Sequence, residues 1–310
     1  MDQEKVEGTI FDIRRFSTHD GDGIRTTVFF KGCPLSCVWC HNPEGISVRP
    51  RPLYFPNKCI RCGICSRLSA HGGAEMTAAG IKLHIKQEED WDRMMDACPS
   101  EALVWDSRRL TAKETVEEVM RDEPFFRHGG GVTLSGGEPL LQPDFALAVL
   151  KGLKQKGVHT AIETALYADS QVVQKLLPYL DLVYADLKLA DSHRHEQYTG
   201  VPNGKIKENI RILLESEKAG NVIIRTPMIP GITADNGNIA GISRYISGIY
   251  PDVSYEILNY NPLAKAKYHL VDKEFFLKDN NKKYSMEAMD AFAAAAVKNG
   301  IKNKNLIMES

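Results

Sequence analysis

The sequence predicts an α/β protein built as a partial barrel of about six βα units, interrupted by one small cysteine-rich insert. Three observations carry that prediction. Strand-like runs alternate with helical segments of roughly 10–15 residues from about Leu110 onward, the pattern of βα units around a parallel sheet. About six units are too few for a standard eight-unit barrel, although periodicity alone does not separate an open barrel from a doubly wound sheet. Between about Val48 and Trp105 the periodicity fades and four of the seven cysteines collect, which marks an insert. The domain reading is therefore a core of residues 1–50 and 105–310 around an insert of residues 51–104.

Taken in order, "GTIFDI" (8–13) and "TTVFFKG" (26–32) are β-branched and aromatic strands on either side of a glycine-rich turn. A proline-rich run, "RPRPLYFP", opens the insert. After it "LTAKETVEEVMRDEPFF" reads as a helix with Thr111 as N-cap, and "GVTLSGG" as a strand ending in glycine. "PDFALAVLKGLKQKG" has Pro143 early and Gly157 late, as a helix should. Strands follow at "HTAIET" (159–164), "DLVYADLK" (181–188), "NVIIRTPMIPG" and "SYEILNYNP". Helices separate them at "ADSQVVQKLLPYL", "KENIRILLESEKAG" and "NGNIAGISRYISGIY", and "SMEAMDAFAAAAVKNG" closes the chain, capped by Gly300.

Composition excludes several function classes. The 310 residues are 43% hydrophobic and 25% charged with net charge −1, so no broad basic face advertises nucleic acid or an anionic membrane. No apolar run approaches the roughly 18 residues of a membrane span, and the charged N-terminus lacks a signal peptide's apolar centre. A cytoplasmic protein is expected. Seven cysteines, an odd number, argue against a disulfide framework.

The insert holds Cys59, Cys62 and Cys65 at two-residue spacing and ends on Cys98-Pro99. Two-cluster ferredoxins use C-x2-C-x2-C-x3-C-P, the fourth cysteine of each run serving the other cluster. Ser69 stands where the first run's fourth cysteine would be, and no second run precedes Cys98. Cys59, Cys62, Cys65 and Cys98 are thus expected to hold one [4Fe–4S] cluster in a ferredoxin-like insert; a four-cysteine zinc site is the alternative.

That leaves Cys33, Cys37 and Cys40 in "KGCPLSCVWCHNPEG". Three thiolates on a cubane leave one iron open, and open positions are where metal sites bind substrate or cofactor. Further along, "LSGGEPLL" ends a strand; Gly136 and Gly137 remove side chains so that a ligand can approach, and Glu138 offers a carboxylate for an ammonium. "IET" (Glu163, Thr164), "DLK" (Asp186, Lys188) and Arg225 fall at strand ends, on the rim where barrels build sites.

The C-x3-C-x2-C spacing resembles the signature of the radical S-adenosylmethionine (SAM) enzymes. Together "HDGDGIRTTVFFKGCPLSCVWCHNPE", "GGGVTLSGGEPLLQ", "IETALY", "ADLK", "YTGV" and "IIRTPMIPG" resemble the glycyl-radical-enzyme activating enzymes over nearly the whole chain. The resemblance implies a radical SAM-type (β/α)6 barrel. SAM's methionine amino and carboxylate groups would occupy the open iron, and its cleavage would lead to hydrogen abstraction from a backbone glycine of a partner glycyl radical enzyme. It places Gly136, Gly137, Glu138 and Thr164 at the cofactor's methionine, Lys188 on its carboxylate, and Trp39, His41, Arg225 and Asn261 around it. Glu163 and Asp186 would hold a monovalent cation. A flavodoxin or ferredoxin would donate electrons, and the chain would act as a monomer. Two positions depart from the family: Asp22 replaces the proline of "HDGPGIR", and Asn261 replaces a histidine. A radical enzyme acting on a small molecule and a non-catalytic two-cluster electron carrier are the competing readings.

Overall fold

The computed structural model describes residues 3–268, 271, 274–277 and 282–308. Strands β1 (Glu7–Ser17) and β2 (Arg25–Phe30) form an antiparallel hairpin across the glycine-rich turn. The chain then leaves the sheet through the cysteine loop and enters the insert. There β3 (Pro52–Tyr54), α1 (Ile64–Leu68), β4 (Ala74–Thr77), β5 (Gly80–Leu83), α2 (Trp91–Asp96) and β6 (Leu103–Trp105) follow. β3 pairs with β6 and β4 with β5, both antiparallel, so the insert carries two small sheets of its own. The insert is more than a metal-based core: Ala74, Ile81, Trp91, Met94 and Leu103 form an apolar cluster against which Cys59, Cys65 and Cys98 pack.

β7 (Arg108–Thr111) returns to the main sheet and pairs antiparallel with β1. The α3 helix (Ala112–Val119) starts on Thr111, whose hydroxyl accepts from the Glu114 amide while the Glu114 carboxylate accepts from the Thr111 amide. After α4 (Glu123–Phe126) come β8 (Gly131–Gly136), α5 (Pro143–Gln155), β9 (Thr160–Thr164), α6 (Ser170–Leu176) and β10 (Leu182–Asp186). Then α7 (Ser192–Thr199), α8 (Gly204–Leu214), β11 (Val222–Pro227), α9 (Asn236–Ile249), β12 (Ser254–Leu258), α10 (Lys265–Tyr268), α11 (Met286–Lys298) and β13 (Leu306–Met308) complete the order.

Among the described residues the sheet runs β13-β12-β11-β10-β9-β8-β2-β1-β7. From β2 to β13 every pairing is parallel, which confirms the parallel sheet core. A strand's side chains alternate between faces, so this register sorts the site. Leu134, Ile162, Val183 and Ile224 point to one face and join helix residues such as Leu150, Ile210 and Ile242 in the main core. The other face carries Ser135, Glu163 and Tyr184 in one row and Asp186, Arg225 and Glu256 in the next. Polar groups thus gather on the face away from the core helices.

The segment 192–199, unassigned in the sequence, is helix α7. Only His195 and Thr199 of it are buried, so it offers no apolar stripe to read.

Candidate active site

The cysteine loop begins where β2 ends, at the carboxyl end of the parallel strands. Its root is stitched to itself and to β8 through the backbone. Gly32 N donates to Gly45 O (2.8 Å) and Cys33 N to Ile46 O (3.0 Å); Gly137 N donates to Phe30 O and Glu138 N to Gly32 O, each at 2.8 Å. The glycines make that contact possible. A Cβ on Gly136, whose φ is +112°, would sit 2.3 Å from Phe30 N, and one on Gly137 would sit 2.2 Å from Gly32 O. The close approach they permit is therefore that of the chain's own cysteine-bearing strand.

The three thiols all lie on this loop. Burial pushes Cys33, Cys37 and Cys40 up, Cys40 to about 12, and Cys33 and Cys40 also feel the charge of Cys37. Lys188 is the cation that draws Cys37 and Cys40 back down. Trp39 is 4% exposed and packs with Leu189, Ile229, Ile232 and Tyr260, so the indole forms the apolar backing of the loop. His41 is exposed, and Asn261 caps a short turn, accepting from Leu263 N at 3.0 Å.

Four charged side chains from three strand ends lock together on the polar face. Lys188 Nζ donates to Asp186 at 2.6 Å, and Arg225 reaches Glu163 at 2.9 Å through Nη1 and Asp186 at 3.5 Å through Nε. The Arg225 guanidinium also lies 4.6 Å over the Tyr184 ring. Burial pushes the Asp186 carboxyl up, but Lys188 and Arg225 outweigh it and hold it below the usual range. Burial likewise opposes the charge on Lys188, yet Asp186 and Cys37 carry it above its ordinary value. Two carboxylates thus face two cations at the mouth of the thiol site.

Glu138 and Thr164 lie apart from that group. The Glu138 side chain is fully buried, and its oxygens accept from the Thr164 hydroxyl (2.7 Å), Ala165 N (2.7 Å) and Leu140 N (3.1 Å). Burial pushes its carboxyl up to about 7 against those hydrogen bonds. The carboxylate that the sequence offers to an ammonium is spent on tying the end of β8 to the end of β9.

In the insert, Cys59, Cys62, Cys65 and Cys98 line one recess together with Tyr54, Ile81 and Leu103. Among the described residues no three Cys, His, Asp or Glu side chains are gathered to hold a single metal ion. Ser69, at the missing fourth position, donates to Glu89 at 2.6 Å, and the same carboxylate accepts from Ala70, His71 and Gly73 amides. Where a ferredoxin run would end on a ligand, a carboxylate fills the turn instead.

One contact that sequence reasoning missed joins the two regions. Lys31 and Asp106 are 0% and 1% exposed and pair at 2.5 Å. Asp106 also accepts from Arg51 N at 3.0 Å, so the start and end of the insert close on the root of the cysteine loop. Lys31 opens the quoted cysteine-loop motif, but nothing there points to Asp106, which lies 75 residues on.

The chain was compared with known proteins. Residues 27–240 match the family described as the Radical SAM superfamily. An isethionate sulfite-lyase activating enzyme of Desulfovibrio desulfuricans is 38% identical over 278 residues, 87% of this chain and 88% of that one. A choline trimethylamine-lyase activating enzyme of Oleidesulfovibrio alaskensis is 38% identical over 279 residues, 87% of this chain and 89% of its own. A solved structure of a radical SAM methyltransferase from Sphaerobacter thermophilus aligns with 97% of this chain and 76% of that one at a TM-score of 0.55; at 14% identity it speaks for the fold.

Proposed function

The chain belongs to the radical SAM superfamily, among its glycyl-radical-enzyme activating enzymes, and we propose from that premise how its residues divide the work. The carrying observation is the thiol set: three half-buried cysteines of one loop at the sheet's end, with Lys188 acting on Cys37, and the remaining four cysteines gathered elsewhere. When bound there, a [4Fe–4S] cluster and SAM would supply the one-electron reductive cleavage of the sulfonium that allows hydrogen-atom abstraction from a backbone glycine of a partner enzyme. Cys33, Cys37 and Cys40 hold that cluster as thiolates. The chemistry of the donor set fits it: three cysteine sulfurs at C-x3-C-x2-C spacing are soft ligands of the kind that hold iron–sulfur clusters.

Lys188 is oriented by Asp186 to receive a carboxylate as a point charge, and Arg225, held by Glu163, forms the adjoining wall. Gly136, Gly137 and Glu138 form the floor under the methionine end by fixing the loop against β8, with Thr164 bracing Glu138. Trp39 backs the thiols, while His41 and Asn261 stand at the mouth. As arranged, Glu163 and Asp186 share the guanidinium of Arg225 and do not fit a bound monovalent cation, so no step is routed through one.

The four insert thiols, ringed around a recess, support a second, fully ligated [4Fe–4S] cluster in a one-cluster ferredoxin-like unit. Unpaired sheet ends at β7 and β13 support a partial barrel spanning residues 1–50 and 105–310 around the insert. Among the described residues no helix is long and apolar enough to cross a membrane; a cytoplasmic monomer served by flavodoxin or ferredoxin is proposed from the family resemblance alone. The relatives' partners are lyases and decarboxylases, and a glycyl radical enzyme of that kind is the proposed substrate.

The test mixes reconstituted protein, SAM and reductant with candidate partners. A doublet glycine radical by EPR, with 5′-deoxyadenosine formed in step, is the expected result. Undiminished SAM cleavage without any partner, and no radical with one, would sink the reading.

A further inference from the structure

The motif "YTGV" (198–201) has a resemblance but no task in the mechanism above. Its place in the fold supplies one. A helix's last carbonyls lack partners within the helix. At the end of α7 two of them are taken by the cysteine loop: Ser36 N donates to Thr199 O at 2.7 Å, and Val38 N donates to Tyr198 O at 3.1 Å. Those amides flank Cys37 on either side. The middle thiol of the three is therefore aimed by the end of a helix.

The turn that presents these carbonyls is braced from within. Thr199 and His195 are both 0% exposed. The Thr199 hydroxyl donates to His195 O at 2.8 Å, and His195 Nδ1 donates to Val201 O at 2.7 Å, the carbonyl fixing that tautomer. Gly200 closes the helix at φ +84°, and a Cβ there would sit 2.6 Å from Ser36 Oγ. At the other end of the same segment, Asn203 donates to the carbonyls of Leu189 (2.8 Å) and Ala190 (3.1 Å), tying the turn to the stretch that follows Lys188.

We propose that the α7 end, Tyr198–Val201 with His195, is the positioning element of the first cluster loop, setting the direction of Cys37 relative to Lys188. These are positioning residues acting through backbone, and their chemical class of ligand is the loop itself. The inference rests on the reading of Cys37 as a cluster ligand, but part of its test does not.

Two variants separate a mould from a mere helix stop. In Gly200→Val a β-branched residue is forced to positive φ and its added carbons are driven toward Ser36. In Gly200→Asn combined with Ser36→Ala, asparagine tolerates the left-handed turn and the Oγ in the way is gone. In metal-free protein, Gly200→Val should speed amide exchange at Ser36 and Val38 by about tenfold or more, leaving Cys33 and Gly32 protected by Ile46 and Gly45. After reconstitution, Gly200→Val should retain about half the iron and lose the SAM-dependent change in the cluster's EPR signal, while the double variant keeps both. Equal iron and an intact SAM response in Gly200→Val would overturn the proposal. So would loss in both variants with unchanged exchange at Ser36 and Val38. If wild-type protein showed no SAM-sensitive cluster while the exchange result held, the functional reading would fall and the loop-moulding one would stand.

Discussion

Two thiol sites in one chain solve opposite problems. In the core, Cys33, Cys37 and Cys40 sit where burial raises all three; a backbone hydrogen bond eases each of them, and Lys188 eases Cys37 and Cys40 as well. In the insert, Cys62 is exposed. Burial also pushes Cys98 up, but hydrogen bonds from Leu103, Ala102 and Ser100 amides more than offset it and leave the thiol below its ordinary value. Acidic groups show the same split: Glu138 in the core is raised to about 7, and Glu89 in the insert is lowered to about 2. In the core, backbone donors do not offset burial at any of the three thiols. In the insert they do so at Cys98, while burial still raises Cys65. The proposed open cluster falls in the first setting and the proposed closed one in the second.

The sharpest way to break that contrast is to remove one thiol from each site. Cys37→Ser should abolish SAM cleavage and leave the insert's iron in place. Cys98→Ser should lose about half the iron yet keep a SAM-sensitive EPR signal. Iron analysis beside EPR decides it, and the reverse pattern would exchange the two assignments.

Next in size is the contact joining the regions. Asp106→Asn leaves the buried Lys31 ammonium without its counter-charge, which should cost about 3–5 kcal/mol. Replacing both, Lys31→Met with Asp106→Leu, should come within about 1–2 kcal/mol of wild type, because the charges then leave together. Urea unfolding of metal-free protein measures both. If Asp106→Asn is harmless, the insert is not anchored through this pair.

The sequence displayed the thiols and charges of this arrangement but not its supports. The seven cysteines, the βα alternation and the strand-end charges Asp186, Lys188 and Arg225 were all legible, because spacing and periodicity are local signals. Glu138 was legible as a motif but not in its task, since which face of a strand end a side chain serves depends on register with β9. Helix α7 escaped because a segment that buries only a histidine and a threonine carries no hydrophobic period. The Lys31–Asp106 pair escaped because 75 residues separate the partners.

Glu138 offers a pH test of the core. Its folded value of about 7 lies above the ordinary carboxyl value of 4.5, so the native state holds a proton that the unfolded chain has released. Stability therefore falls as pH rises from about 4.5 to 7, by up to about 3 kcal/mol for this group. In Glu138→Gln that part of the slope should vanish, whatever constant cost the amide incurs against Ala165 N. Unfolding of metal-free protein at pH 5 and pH 7.5 should show the variant gaining on wild type; parallel curves would place the Glu138 proton in both states alike.

Glu89 is the mirror case, and the smallest effect. Burial opposes its charge, but the Ser69 hydroxyl and the amides of Gly73, His71 and Ala70 prevail, and its folded value falls below the unfolded one. The sign is reversed: its contribution is complete above about pH 4.5 and is lost as pH falls toward about 2. A partly solvated carboxylate in water contributes less than a buried one, so the shift should be modest. Trp91 and Trp105 lie in the insert's cluster, so in a Trp39→Phe background tryptophan fluorescence is a local probe. Glu89→Gln should move the insert's acid transition to higher pH while circular dichroism of the helices around the main sheet stays put. If both signals move together, the insert and the core unfold as one unit, and the separation between the two sites is chemical rather than mechanical.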